Sequence, residues 1–342
     1  MSLTRPTATS RPIATLALVA ASALLLAGCS GNAEPAGTDS ESAPAASDES
    51  YYPITVTDMA GNEVTIESAD SVGITDNRFF QLAADWDLPV TVAPRDLMSP
   101  NNPLVDDESI LNTGTHREPD FEQFVAADPD VIINGYRYSG ETADGVKEAA
   151  PDAAFIDMTG PEDQTVDEYV TQSVTLMGEI FNKEAEAQAI LDQFHAAIDD
   201  AKAAYDPALT VMGLVTAGGE INYSNPFDGR GASVFFSLLD LTPALDTEGS
   251  ESHTGDSVSL EALAEANADV LIVLDRDAAV SEEGEKATPA LELINGSAAL
   301  ANVPAVKNQA IYVFPADFYL TEDVFAFTTV LEGLTELFSS AK

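Results

Sequence analysis

PDFEQFVAADPDVIINGYR, residues 119–137, and VSLEALAEANADVLIVLDR, residues 258–276, are one pattern written twice. Glu122 falls on Glu261, Asp130 on Asp269 and Arg137 on Arg276, a constant offset of 139. Each copy reads as a short amphipathic helix, a turn, a β-branched run and an arginine seven residues after the turn aspartate. Short apolar runs that follow a helical pattern read as buried parallel strands. Two copies therefore predict an α/β chain of two Rossmann-like lobes with parallel sheets. Ligands of open α/β sheets bind beyond the carboxyl ends of the strands. The expected site is a cleft between the lobes, with one arginine supplied from each side.

The flanking sequence fits that plan. Residues 54–66 (ITVTDMAGNEVTI) alternate around an Ala-Gly-Asn turn and read as a hairpin. The segment 183–205 (KEAEAQAILDQFHAAIDDAKAAY) lacks Gly and Pro and reads as one long helix. At about 1.5 Å per residue it spans on the order of 34 Å, enough to join two lobes. The organisation expected is a leader at 1–28, a tether at 29–50, an N-terminal lobe at 51–182, the joining helix at 183–205 and a C-terminal lobe at 206–342. Strands alternating with helices call for a parallel sheet in each lobe.

The leader has Arg5 and Arg11, an apolar stretch from Ile13 to Ala27, and Leu26-Ala27-Gly28-Cys29. That order describes a secretory signal too short to be a comfortable membrane span. Cys29 is the chain's one cysteine, so it has no partner for a disulfide. Its setting resembles a bacterial lipobox, which implies lipidation at Cys29. Residues 30–50 are rich in Ser, Ala, Gly, Pro and acids and read as a flexible tether.

The chain has 14 Lys and Arg against 58 Asp and Glu, a formal net charge of −44. Nucleic acid and anionic membrane surfaces are poor partners for such a body. Beyond the leader there are six arginines, at 78, 95, 117, 137, 230 and 276. Arg137, Arg230 and Arg276 fall at strand ends or in the loop leading into a lobe helix. A guanidinium recognises oxyanions through forked donors, so three in one cleft suit a multiply anionic ligand. Pairing with the abundant acids is the other reading.

His253 precedes the second copy, and Tyr319 follows the expected strand 310–314. Imidazole and phenolate are competent donors to a hard ferric ion; a solvated loop histidine and a packed rim tyrosine are the alternative. His116 and His195 do not cluster with His253 along the sequence, which argues against a bare zinc or manganese site. Glu122 and Glu261 sit in first helical turns after Asp120 and Ser259 as N-caps. There they either complement the helix dipole or form one docking feature per lobe. No Walker loop, G-x-S-x-G elbow or histidine-rich metal motif is present, so nothing asks for an enzyme.

Taken as a set, the lipobox, TDMAGNEVTI, PDFEQFVAADPDVII, GEIFNKEAEAQAIL and VSLEALAEANADVLIVLD resemble the solute-binding lipoproteins of ABC importers for ferric siderophores, haem and cobalamin. The resemblance covers nearly the whole chain after the tether. It implies a lipid-anchored, extracytoplasmic monomer with no permanent cofactor. It also implies that Glu122 and Glu261 meet arginines of a permease that works with ATPase subunits. The catecholate branch carries arginines, a histidine and a tyrosine at positions that fall here on Arg137, Arg230, Arg276, His253 and Tyr319. In that branch the arginines bind the anionic ferric complex, and the histidine and tyrosine complete iron coordination where the siderophore leaves it open. Haem would want an apolar slot, cobalamin aromatics and few charges, and hydroxamate complexes no guanidinium cluster. A catecholate or mixed catecholate-carboxylate ligand is therefore expected, with haem or cobalamin as the alternative.

Overall fold

The computed structural model describes residues 50–280 and 287–341. The leader, Cys29, the tether as far as residue 49 and residues 281–286 lie outside the described residues.

The hairpin forms where alternation required it. Strand β1 (Ile54–Thr57) pairs antiparallel with β2 (Glu63–Ile66), Ile54 opposite Ile66. Its turn is held by Asp58, whose carboxylate accepts the Asn62 backbone N–H at 2.7 Å. The first sheet contains β3 (Val72–Ile74), β4 (Val90–Ala93), β5 (Leu111–Asn112), β6 (Val131–Asn134) and β7 (Ala154–Asp157). Its order is β5-β4-β3-β6-β7, and every pair is parallel. The second sheet contains β8 (Thr210–Ala217), β9 (Glu220–Ser224), β10 (Thr242–Pro243), β11 (Val270–Asp275) and β12 (Ile311–Val313). Strands β10-β8-β11-β12 are parallel, as expected. Strand β9 departs from that expectation and runs antiparallel along β8. The cause is local: Gly218 and Gly219 both take positive φ, which closes a two-residue hairpin with Ala217 opposite Glu220.

The repeated segments are built alike down to single atoms. Each helix ends before a left-handed residue at the matching position, Asp128 (φ 45°) and Asn267 (φ 56°). Each turn aspartate then ties its strand to the first strand of its lobe. Asp130 accepts the Asp70 and Ser71 backbone N–H groups at 2.8 and 3.0 Å. Asp269 accepts the Thr210 N–H and hydroxyl, both at 2.9 Å. The β-branched runs that follow, β6 and β11, are buried along their full length and lie beside β3 and β8. The duplicated sequence thus encodes a helix and one inner strand of each lobe's sheet.

The lobes are joined by the helix Glu184–Ala204, whose 21 residues span about 32 Å at the usual rise. The preceding helix, Val166–Phe181, is started by a Thr165–Glu168 capping box and stopped by Asn182 in the left-handed region. Leu191, Phe194, Ile198 and Ala201 on the joining helix recur every three or four residues and are buried. The helix Val324–Ser340 lies along it, burying Val330, Leu331, Leu334 and Phe338, with the Phe338 ring 5.0 Å from that of Tyr205. The connection is therefore a packed helix pair. Burying a phenylalanine such as Phe338 contributes about 1.5–3 kcal/mol.

Candidate functional site

A cavity of about 620 Å³ opens between the lobes, lined by Arg78, Tyr136 and Tyr169 on one side and Arg230, His253 and Glu322 on the other. Its size is in the range that holds a small-molecule ligand. The turn after β3 supplies Arg78, and the turn after β6 supplies Tyr136 and Arg137. Arg276 follows β11 directly, and Tyr319 and Glu322 come from the segment after β12. Arg230 stands in the loop before the helix Ser233–Leu239.

The N-terminal wall is a stack of alternating rings and guanidinium groups. Arg78 lies 4.5 Å from the Tyr136 ring centre and 4.3 Å from that of Tyr169, and Arg137 lies 5.3 Å from Tyr136. Arg78 Nε donates to both carboxylate oxygens of Asp76 at 3.0 Å. Burial works against the Arg78 charge, but the buried Asp76 carboxylate overcomes it and raises the Arg78 pKa. Its charge is thereby matched within its own lobe. Gly135 makes that pair possible, because a Cβ there would stand 1.8 Å from an Asp76 carboxylate oxygen.

Arg137 has no acidic partner among the described residues and instead donates from Nε to Asn77 Oδ1 at 2.7 Å. The Asn77 amide in turn donates across the cleft to the Leu320 carbonyl and, at 3.1 Å, to that of Thr321. One asparagine thus orients an arginine of the first lobe and grips the short helix Phe318–Thr321 of the second.

On the C-terminal wall, Arg230 and Arg276 flank the Tyr319 ring at 5.2 and 5.5 Å. Arg276 has no ion pair among the described residues, and its buried Nε has no hydrogen-bond partner among them. Arg230 is paired with Glu322 at 2.7 Å. Burial pulls the Arg230 pKa down, and Glu322, Tyr136 and Tyr319 more than offset it, leaving it raised. Gly231, with φ +80°, lets the chain turn from Arg230 into its helix over Leu274.

His253 projects from a loop fixed by Asp256, which accepts the Ser250 N–H at 3.0 Å and its hydroxyl at 2.6 Å. Burial and then Arg230, Arg276, Arg137 and Arg117 hold the His253 pKa below its ordinary value, so its imidazole is neutral and its lone pair available at neutral pH. His116 is depressed in the same way by burial, Arg137, Arg117 and His253. His116, distant from His253 along the sequence, is thus close enough to feel its charge in the fold. His195 lies on the joining helix, within 3.0 Å of the Thr171 hydroxyl. No group of three or more metal-type ligands occurs among the described residues.

Of the five expected residues, Arg230 and His253 line the cavity, Tyr319 and Arg276 stack beside Arg230, and Arg137 stacks on the cavity-lining Tyr136. Glu122 and Glu261 are apart from the cavity, exposed in the first turns of their helices. Ser259 caps its helix as expected, accepting the Ala262 N–H at 3.2 Å, whereas the first helix has Phe121 at its N-cap and Asp120, one residue earlier, accepts the Glu122 N–H at 3.0 Å. Sequence reasoning missed Arg78, Tyr136, Tyr169 and Glu322 as parts of the site. Arg78 had a usable signal, being one of few arginines and standing just past a core strand. Glu322 had none, because it is one acid among 58.

The pattern of the family described as periplasmic binding protein matches residues 72–318. The petrobactin-binding protein YclQ of Bacillus subtilis (strain 168) is 28% identical over 239 residues, 69% of each chain. The ferric-anguibactin-binding protein FatB of Vibrio anguillarum is 29% identical over 222 residues, 62% of this chain and 64% of FatB. The crystal structure of YclQ has the same fold, with a TM-score of 0.68 at 22% identity over 84% of this chain and 99% of that one. The siderophore-binding protein BauB, bound to two acinetobactin molecules and ferric iron, gives 0.70 at 20% identity over the same shares. Two lobes joined by a helical linker are common to them. The family consists of binding proteins rather than enzymes, and this chain, with its two repeat-built lobes and interlobe cleft, belongs to it.

Proposed function

We propose that this protein captures an anionic ferric siderophore, of catecholate type, and delivers it to an ABC permease driven by ATPase subunits. The observation that carries the reading is a pair of guanidinium groups with no ion pair among the described residues, Arg137 stacked on the cavity-lining Tyr136 and Arg276 stacked with Arg230 on Tyr319, one from each lobe of a strongly acidic body. A ferric catecholate presents anionic oxygens that forked donors match. Neutral His253, and Tyr319 between two arginines, supply iron ligands where the siderophore leaves positions open. The names of YclQ and FatB, petrobactin-binding and ferric-anguibactin-binding, support a ferric siderophore as cargo. Haem and cobalamin fit a guanidinium-lined cleft less well. The protein works as a monomer held at the extracytoplasmic face by lipid on Cys29, with Glu122 and Glu261 docking the permease.

Quenching of intrinsic fluorescence, titrated in parallel with a ferric catecholate, a ferric hydroxamate, haem and cobalamin, tests this. The ferric catecholate is expected to bind tightest. Arg137→Ala and Arg276→Ala should each weaken it by about 1.5–3 kcal/mol, the worth of a charge-assisted hydrogen bond, or roughly tenfold to a hundredfold. Unchanged affinity in both variants would sink the cleft assignment. His253→Ala and Tyr319→Phe should shift the charge-transfer band of a bound ferric bis-catecholate. Glu122→Ala and Glu261→Ala should leave ligand binding intact and impair uptake by cells.

A further inference from the structure

Glu322 is out of place in a site for anions. Its side chain is only 17% exposed, and its carboxylate sits 2.7 Å from Arg230. Burial raises its pKa, opposed by Arg230, Arg137 and Arg78, while Asp76 adds to the rise. Tyr136, whose own pKa Glu322 helps to raise, is the remaining titratable group beside it. The carboxylate therefore answers to arginines from both lobes.

The backbone sharpens the point. Glu322 ends the helix Phe318–Thr321 in the left-handed region, with φ 44° and ψ 34°. That position favours glycine or asparagine. A glutamate there is neither the easiest residue for the turn nor the easiest side chain to bury. What it achieves is the neutralisation of Arg230, one of the two arginines that line the cavity. With Arg78 already matched by Asp76, the neighbouring guanidinium groups that have no acidic partner among the described residues are Arg137, beside Tyr136, and Arg276, beside Tyr319.

On the reading that the cleft binds ferric siderophores, we infer that Glu322 is a resident counter-ion that sets the charge of the accepted complex. It occupies Arg230 and repels surplus negative charge, so the cleft prefers complexes with one or two negative charges to trianionic ones. A tetradentate bis-catecholate of ferric iron is such a complex. It carries one negative charge and leaves two coordination positions for His253, in the cavity lining, and Tyr319, stacked beside the cavity-lining Arg230. A hexadentate tris-catecholate carries three charges and leaves none.

The test compares those two ferric complexes by fluorescence quenching at one pH and ionic strength, in the full chain and in Glu322→Gln. The wild-type protein should bind the monoanion at least roughly tenfold more tightly than the trianion. Glu322→Gln should gain roughly tenfold for the monoanion and at least roughly a hundredfold for the trianion. That is the order a unit charge exerts across a cleft at an effective dielectric near about 20. Equal gains for both complexes, or none, would overturn the inference while leaving the siderophore reading in place. If Glu322→Gln does not fold, the wild-type preference decides: tighter binding of the trianion overturns the inference. Failure of the wild type to bind either complex would remove the siderophore reading, and the inference with it.

Discussion

Gly135 shows how tightly the cleft is drawn at the level of single residues. It stands between the last residue of β6 and the cavity-lining Tyr136, against the buried Asp76 carboxylate. Gly135→Ala should push Asp76 away from Arg78 and loosen the ring-and-guanidinium stack. A loss of about 1–3 kcal/mol, the usual cost of overpacking, is expected in denaturant unfolding, together with weaker ligand binding. The residues legible in the sequence were those marked by scarcity or by duplication. Arg137 and Arg276 carried both marks; His253 was marked by its place just before the second copy and Tyr319 by its place just past the strand 310–314. Tyr136 and Tyr169 carried neither, because a tyrosine at a strand end or in a first helical turn is ordinary. Their role comes from stacking on Arg78, a contact that joins segments far apart in the chain.

Among the elements, the helix Val324–Ser340 joins the cleft to the linker. It begins at Asp323, a buried N-cap whose carboxylate accepts the Ala326 N–H at 2.8 Å. Burial pushes the Asp323 pKa up to about 7, with Asp317 and Asp85 adding to the rise and the cap hydrogen bonds opposing it. The folded state then binds more protons than the unfolded state between the ordinary carboxylate range and about pH 7. Stability from this group is present at the acid end and is lost as pH rises through that window. Asp323→Asn keeps the cap and should flatten this part of the stability curve, read as the difference between variant and wild-type unfolding from pH 5 to pH 8. A slope unchanged by Asp323→Asn would rule the group out. Helices and strands were legible wherever periodicity was strong: the joining helix, β6 and β11 needed only their apolar spacing. The antiparallel β9 was not, because its direction is decided by two adjacent glycines rather than by its own residues. Nor did spacing along one helix disclose that Val324–Ser340 would lie against it.

For the whole molecule the dominant quantity is charge, −44 over the full chain. Such a body repels an anionic ligand at long range, and only the local arginines reverse the sign. Added salt shortens the screening length, to about 8 Å at physiological ionic strength. The association rate for a trianionic complex should therefore rise with ionic strength, opposite to the usual steered encounter, while its dissociation rate rises as the arginine contacts weaken. Stopped-flow quenching at several salt concentrations separates the two; an association rate that falls with salt would show that the cleft field extends beyond the acidic surface. The two-lobe plan was legible because the repeat announced it, whereas the balance of charges inside the cleft was set by Asp76 and Glu322, which look like any other acids in the sequence. The pairing of the joining helix with Val324–Ser340 also governs how the protein comes into being. Residues 184–204 are synthesised and exported well before 324–340, so Phe194, Ile198 and Ala201 travel without the wall that will cover them. Until that late segment arrives, the nascent chain leaves an apolar stripe uncovered on the helix that joins its lobes.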